Sequence, residues 1–228
     1  MQVGLFTTGS FAGSFVMAMV GFLSFAGLLF ANTLYLQNLL DLAASTAGLV
    51  TLPLALATII AAPLSGRLMA RNGARRPLVF AGVAMAAGPL ILLFFTEATP
   101  LVWLAVPYLI FGAGYGMLNA PINNTAISDL PDDQAGVASA MISTAKQVGS
   151  VLGIAIVGTI LVSGTGGNLA AGLVTASTLA WWLLAACGGA IAVIAARAAG
   201  TPLPVARATQ TIPNGSDIQG SRRPIPQA

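Results

Sequence analysis

The chain has 228 residues, of which 57% are hydrophobic and 7% charged, and its mean hydropathy is +0.89. A globular protein with this composition would lack the polar surface that water requires, so a water-soluble fold is excluded. The nine basic and six acidic residues give a net charge of +3, with one cysteine and no histidine. Most hydrolytic and metal-dependent chemistry therefore lacks its usual residues, and we expect no enzyme activity, no metal site and no cofactor.

Long uncharged stretches predict six membrane-spanning helices. A helix needs about 20 residues to cross the hydrocarbon core, and backbone groups in lipid must be hydrogen-bonded internally. The stretches lack the alternation of barrel strands, so the predicted fold class is all-α, a polytopic membrane protein. The predicted spans are residues 11–34, 47–65, 77–95, 101–125, 135–162 and 174–196. We expect residues 1–10 to be a cytoplasmic segment and residues 197–228, which are rich in polar and turn-forming residues, to be a disordered cytoplasmic tail.

The arginines predict the orientation of these spans. Lys and Arg close to membrane spans are held on the cytoplasmic side. Four arginines lie between the second and third spans and four lie at or beyond the end of the sixth: Arg67, Arg71, Arg75, Arg76, Arg197, Arg207, Arg222 and Arg223. Both termini are therefore expected to be cytoplasmic, in a plasma membrane that we expect to be bacterial. The positive net charge is explained by this orientation, and no nucleic-acid partner is expected.

Lys146 is the one charge predicted to lie well inside a span. A charged residue near the centre of a membrane helix costs about 2.5 to 3.5 kcal/mol, so it needs a partner, a wet cavity or access to the surface. Ser139, Ser143 and Ser150 share its helical face, and Gln147 follows it. Two interpretations remain open. Either this stripe lines a substrate pathway, or the serines pack against a neighbouring helix while the lysine side chain extends to the membrane surface.

The fourth span carries a second stripe, in which Gly112, Gly116, Asn119 and Asn123 are spaced by four, three and four residues. The glycines permit close approach of another helix, and the amides need hydrogen-bond partners. Asn119 is the deeper amide and the better candidate for substrate contact. Asn123 is a second candidate, with helix capping or cross-linking as its alternative role. In the fifth span, the GxxxG pair at residues 149 and 153 predicts close helix packing.

The second span and the loop after it read TLPLALATIIAAPLSGRLMARNGARR, at residues 51–76. This segment resembles the major facilitator superfamily, and specifically the carboxyl-terminal half of its fourteen-span drug/proton antiporters. Supporting segments occur in the family's order at residues 34–40, 111–121 and 135–161. The resemblance implies that the six spans form one half of a twofold-repeated helical bundle.

The same resemblance assigns a role to the loop after the second span. The family pattern there is G-x-L-x-D-R-x-G-R-R, and in this chain Ala70 replaces its acidic residue. Gly73 permits a tight turn, and the arginines can engage helix carboxyl ends. By resemblance the loop is a conformational gate formed by Gly66, Arg67, Arg71, Gly73, Arg75 and Arg76.

Function is likewise implied by the resemblance. Such transporters expose a site near the midplane to either side of the membrane in turn. The chain is expected to supply half of an exporter of drugs or other small amphipathic molecules in exchange for protons. Its expected partners are the lipid bilayer, the substrate and either a complementary amino-terminal half or further copies of itself. The six spans contain no Asp or Glu, so a titrating carboxylate would have to lie elsewhere in such a machine. A self-sufficient homo-oligomeric channel or carrier, and a non-transporting fragment bound to a full-length relative, remain alternatives.

Overall fold

Long helices dominate the computed structural model, which describes residues 9–95, 99–127, 132–163 and 169–197. In the described part of the chain, six helices are long and apolar enough to cross a membrane, as predicted. They are α1 (Gly9–Leu34), α2 (Ala44–Asn72), α3 (Arg75–Leu92), α4 (Ala105–Ile127), α5 (Asp132–Ser163) and α6 (Leu169–Arg197). A π-helical turn, Tyr35–Leu39, extends α1, and a 3-10 turn, Leu101–Leu104, precedes α4. The predicted all-α fold class is confirmed.

Most helix ends lie beyond the predicted spans. The second span, predicted at residues 47–65, belongs to a helix that runs from Ala44 to Asn72. Helices need not stop where the hydrocarbon core ends, and long side chains such as arginine favour the helical state. The third span is shorter than predicted, because α3 ends at Leu92. Residues 1–8, residues 164–168 between the fifth and sixth helices, and the predicted tail beyond Arg197 lie outside the described residues.

Three pairs of helices pack closely along their lengths: α1 with α5, α2 with α4, and α3 with α6. Each seam contains glycines at which an added Cβ would overlap backbone atoms of the partner helix. The absence of side chains at these positions lets the two backbones approach, which is the main way membrane helices gain packing contacts. These glycines are Gly149 and Gly153 in α5, Gly112 and Gly116 in α4, Gly82 in α3 and Gly188 in α6.

The helices differ in how much of their surface the bundle covers. In the apolar 18-residue stretch of α3 and in that of α4, 50% of the residues are buried inside the bundle. The corresponding share is 22% in α2 and 28% in α5. α4 contacts α1, α2 and α3, and its Phe111, Leu118 and Ile122 are fully buried. The wide exposed surfaces of α2 and α5 are largely apolar and include Leu52, Leu56, Ile59, Ile60, Val148, Val151 and Ile154. In a membrane these surfaces contact lipid or further helices.

A buried polar cluster ties three helices together near the carboxyl end of α1. The Tyr108 hydroxyl of α4 donates a hydrogen bond to the Asn32 side-chain carbonyl of α1. The Asn32 amide nitrogen donates in turn to the Thr51 hydroxyl of α2 at 3.2 Å, and Thr51 donates to the Ala47 carbonyl at 2.7 Å. We call Asn32, Thr51 and Tyr108 the polar clamp. It satisfies polar groups that would be costly to leave unpaired in an apolar bundle.

Tyr108→Phe is expected to lower bundle stability by about 1 kcal/mol, because it leaves the Asn32 carbonyl without its donor, and interhelical hydrogen bonds in membranes contribute about this much. The measurement is the apparent melting midpoint of the detergent-solubilised chain, followed by loss of the monodisperse peak after heating. Thr33→Val is the control, because the exposed Thr33 hydroxyl bonds within its own helix, to the Leu29 carbonyl. Equal midpoints for Tyr108→Phe and the unmodified chain would show that the clamp contributes no stability.

Candidate substrate-binding site

The Lys146 side chain extends from α5 to contact both α4 and α1. Its Nζ donates to Asn123 Oδ1 at 3.0 Å and lies 5.3 Å from the centroid of the Phe22 ring. The Cα of Lys146 is roughly 21 Å along α5 from its first residue, but Asn123 is only one turn before the end of α4. The ammonium group therefore points toward the end of the bundle where α4 ends and α5 begins.

An aromatic cluster of Phe22, Phe25 and Tyr115 joins α1 to α4 beside this lysine. The rings of Phe25 and Tyr115 are stacked, with centroids 3.9 Å apart and planes 6° apart. Phe22 meets the Tyr115 ring edge-on, at 5.5 Å and 65°. Asn119 donates from Nδ2 to the Tyr115 carbonyl at 3.4 Å. These contacts form a rigid aromatic wall, since ring pairs contribute about 0.5 to 1.5 kcal/mol beyond the area they bury.

The wall continues into a half-open pocket between α1 and α5 with a volume of about 310 Å³. This volume is at the lower end of the range for small-molecule sites, about 300 to 1,000 Å³. Its surface is mostly apolar, and one threonine of α1 and one serine of α5 belong to the lining. The lining residues are Phe22, Phe25, Ala26, Leu29, Phe30, Thr33, Ser150 and Ile154. Phe22 thus belongs to the pocket wall and also contacts the Lys146 ammonium.

The structure brings together some of the candidate residues named from sequence. Asn123 and Lys146 are in direct contact, and Asn119 lies one turn away on the same face of α4. Ser139, Ser143 and Gln147 are exposed on α5. Ser139 donates to the Ala135 carbonyl of its own helix at 2.9 Å. The exposed serines do not pack against a neighbouring helix in the bundle.

The aromatic residues of the site were not predicted as functional from sequence. Phe22, Phe25, Phe30 and Tyr115 are ordinary residues for membrane helices, and nothing in their types marks a binding site. Phe22, Phe25 and Leu29 do follow helical spacing and so share a face of α1. That spacing is also typical of packing residues, so only the fold distinguishes a pocket wall from a core.

The loop between α2 and α3 has the tight turn that its glycine predicts. Gly73 has a φ of +76° and donates its amide to the Met69 carbonyl at 2.9 Å, closing α2. With its amide oxygen and nitrogen exchanged, the Asn72 side chain donates to the Arg71 carbonyl and accepts from the Arg76 guanidinium. Ala70 is exposed, and none of the described side chains supplies a carboxylate at this loop.

The arginines of this loop lie at the surface. Arg67, Arg71, Arg75 and Arg76 are exposed, and Gly66 and Gly73 are half-buried. Arg67 and Arg71 also line a surface groove with Leu64, Leu68 and Ala70. The positions are compatible both with an orientation signal and with contacts to further helices.

Comparison with known proteins identifies the wider relationship. The family profile described as Major Facilitator Superfamily matches residues 3–154. The chain is 33% identical to multidrug resistance protein Stp of Mycobacterium tuberculosis over 161 residues, which cover 71% of this chain and 30% of that protein. It is 31% identical to multidrug efflux pump LfrA of Mycolicibacterium smegmatis over 214 residues, which cover 93% of this chain and 41% of that protein. It is 33% identical to puromycin resistance protein pur8 of Streptomyces alboniger over 162 residues, which cover 69% of this chain and 32% of that protein.

By name these relatives are two resistance proteins and an efflux pump, and the matched part of this chain spans 30% to 41% of their length. The match to the family profile covers more than half of the chain and includes the loop, the aromatic cluster and Lys146. The six apolar helices agree with a multi-pass membrane protein. The chain belongs to the major facilitator superfamily.

Proposed function

We propose that the six helices form one half of a secondary transporter that exports drugs or other small amphipathic molecules, and that α1, α4 and α5 supply one wall of its substrate pathway. The observation that carries this proposal is the contact of Lys146 with the aromatic wall beside a half-open pocket. A lysine kept inside an apolar span, at a cost in insertion free energy, is typical of a functional site. The names of the related proteins support export of drugs in particular.

The proposed pathway residues are Asn119, Asn123, Ser139, Ser143, Lys146 and Gln147, together with the aromatic wall. Ser139, Ser143 and Gln147 are exposed on the side of α5 that continues from the pocket, so their polar groups would face a wet pathway. Polar side chains facing lipid would be unfavourable, which supports a cavity in front of them. The arginine-rich loop would then act as the conformational element, with Gly73 holding its turn.

Further helices are proposed to cover the exposed faces of α2 and α5. Alternating access needs a second bundle against which the first one rocks, and substrate sites form between the two. The second bundle would be a complementary six-helix half, with a second copy of this chain as the alternative. No Asp or Glu lies in the six spans, so proton coupling would depend on a carboxylate of the covering helices.

The test of this function compares the chain alone with the chain paired with a complementary half from a related pump. Proteoliposomes are loaded with a fluorescent drug, and its release is followed after a pH gradient is imposed. Transport is expected only in the paired sample. Transport by the chain alone would favour a self-sufficient homo-oligomer. No transport in either sample, with both proteins inserted, would favour a non-transporting fragment.

The proposed orientation places both chain ends and the α2–α3 loop in the cytoplasm. We expect a cysteine at Arg75 and a cysteine at Gly166 to be labelled from opposite sides of the membrane. The measurement is labelling by an impermeant maleimide in intact cells and in inverted vesicles. Cys187→Ser supplies the background, since Cys187 is the chain's single cysteine. Labelling of both positions from the same side would overturn the topology.

A further inference from the structure

We infer that the pocket between α1 and α5 binds aromatic molecules that carry a negative charge, with Lys146 as the group that recognises the anion. The transport consequence of this inference rests on the proposed function, but the binding itself does not. The two parts of the ligand correspond to two adjacent features of the site. The pocket supplies an aromatic surface, and the lysine supplies a positive charge against Phe22, at the edge of that surface.

Charged residues are almost absent from the interior of the six spans. The six spans contain no carboxylate, and Lys146 is the one charged residue that lies away from their ends. Among the side chains that the structure describes, its contacts on the other helices are the Asn123 amide oxygen and the Phe22 ring, both of which are neutral. An ammonium group has three N–H donors, and the bond to Asn123 uses one of them. The site therefore retains a positive charge and donor capacity for an anionic ligand.

The aromatic wall lies next to the Lys146 ammonium. Phe22 contacts the Lys146 ammonium and also lines the pocket, so its ring is shared between the charge and the aromatic surface. Phe25 is held in position by its stack on Tyr115, which gives the pocket a preorganised aromatic surface. Thr33 and Ser150 are the pocket's polar side chains, and neither carries a charge. The geometry thus favours a flat apolar body with one acidic group at its end.

The opposite charge is disfavoured at the same place. A cationic aromatic in the pocket would approach the positive charge of the lysine, and like charges repel. A site selective for cations would need a carboxylate, and the six spans have none. A neutral aromatic would gain the ring contacts but no ion pairing.

The test uses two dyes that differ by a single acidic group. 1-Anilinonaphthalene-8-sulfonate is anionic, and N-phenyl-1-naphthylamine is the same ring system without the sulfonate. Binding to the full chain is measured by dye fluorescence in nanodiscs of zwitterionic lipid, with empty discs subtracted. We expect the sulfonate to bind at least about tenfold more tightly than the neutral dye, because charge-assisted hydrogen bonds are roughly twice as strong as neutral ones.

Substitutions test whether Lys146 causes the preference for the sulfonate dye. Lys146→Met is expected to weaken sulfonate binding at least about tenfold and to leave the neutral dye within about twofold, whereas Lys146→Arg should keep the preference. Arg197→Met is the matched control, since it removes an exposed positive charge at the end of α6 and should change neither dye. Phe30→Leu should weaken both dyes, because it removes a ring from the pocket wall.

Three results would overturn the inference: equal affinities for the two dyes, no binding of either dye, or a preference that survives Lys146→Met. Each variant is first checked for a monodisperse peak and unchanged helical content, so a folding defect is not read as lost binding. Because the assay measures binding in the absence of transport, its result is independent of whether the chain exports anything. A positive binding result with no transport in the paired sample would leave the site assigned and the proposed function contradicted.

Discussion

Gly153→Ala is expected to destabilise the six-helix bundle by about 1 to 3 kcal/mol, the usual cost of forcing an extra carbon into a well-packed core. A Cβ at Gly153 would overlap the Leu23 carbonyl oxygen of α1, and backbone atoms cannot move aside as a flexible side chain can. Gly149 meets the backbone of Met19 in the same way one turn earlier. The substitution would therefore separate α1 from α5 along the seam beside the pocket.

Gly136→Ala is the matched control, because Gly136 is on the same helix and a Cβ there would meet no atom within 4 Å. It should be neutral or slightly stabilising, since alanine favours the helix by up to about 1 kcal/mol over glycine. The measurement is the apparent melting midpoint in detergent, which falls by about 2 to 4 °C per kcal/mol for a chain of this size. Equal midpoints for the two alanine variants would show that the α1–α5 seam is loose.

The helices could be predicted from sequence because the membrane imposes a simple rule. Long uncharged runs of sufficient length form spans, and the glycine pair of α5 indicated a close seam that the structure contains. The pairing of the helices was not predictable in the same way. Nothing in α2 alone indicates that its neighbour is α4. A stripe of glycines predicts that another helix packs closely, but it does not predict which helix.

The candidate site was predictable only where its residues are unusual for a membrane span. Lys146 and Asn123 stood out because polar groups in lipid are costly, and the structure places them in contact. Phe22 and Tyr115 did not stand out, because aromatic residues are common in spans and their role depends on neighbours that are distant in sequence. The contact between Lys146 and the Phe22 ring joins positions that lie on helices α5 and α1, which only the fold brings together.

Packing and candidate pathway positions alternate along α5. Gly149 and Gly153 face the backbone of α1, whereas Lys146 and Ser150 lie on the adjacent strip beside the pocket. A substitution on either strip can therefore change the position of the other, because both belong to one rigid helix. Effects on transport are interpretable only when stability is measured in the same variant.

Lys146→Leu, in a transporter that contains the complementary half, is expected to lower the initial transport rate of an anionic aromatic substrate at least about tenfold. The reason is loss of charge-assisted hydrogen bonding to the substrate, which is worth about twice a neutral hydrogen bond. Insertion should not suffer, because replacing a lysine inside a span removes a cost of about 2.5 to 3.5 kcal/mol. The measurement is the initial rate per inserted transporter, with the inserted amount determined from carbonate-washed membranes.

Lys146→Arg provides the control for charge, and it should keep most of the rate because a guanidinium also donates to anionic groups. Transport of a neutral analogue of the substrate by the Lys146→Leu variant controls for damage to the pathway. The rate for this analogue should change by less than about twofold. A general loss of packing would lower both rates together. Unchanged kinetics for the anionic substrate would instead reduce Lys146 to a residue that cross-links α5 to α4 through Asn123, because the hydrogen bond between them would then be its whole contribution.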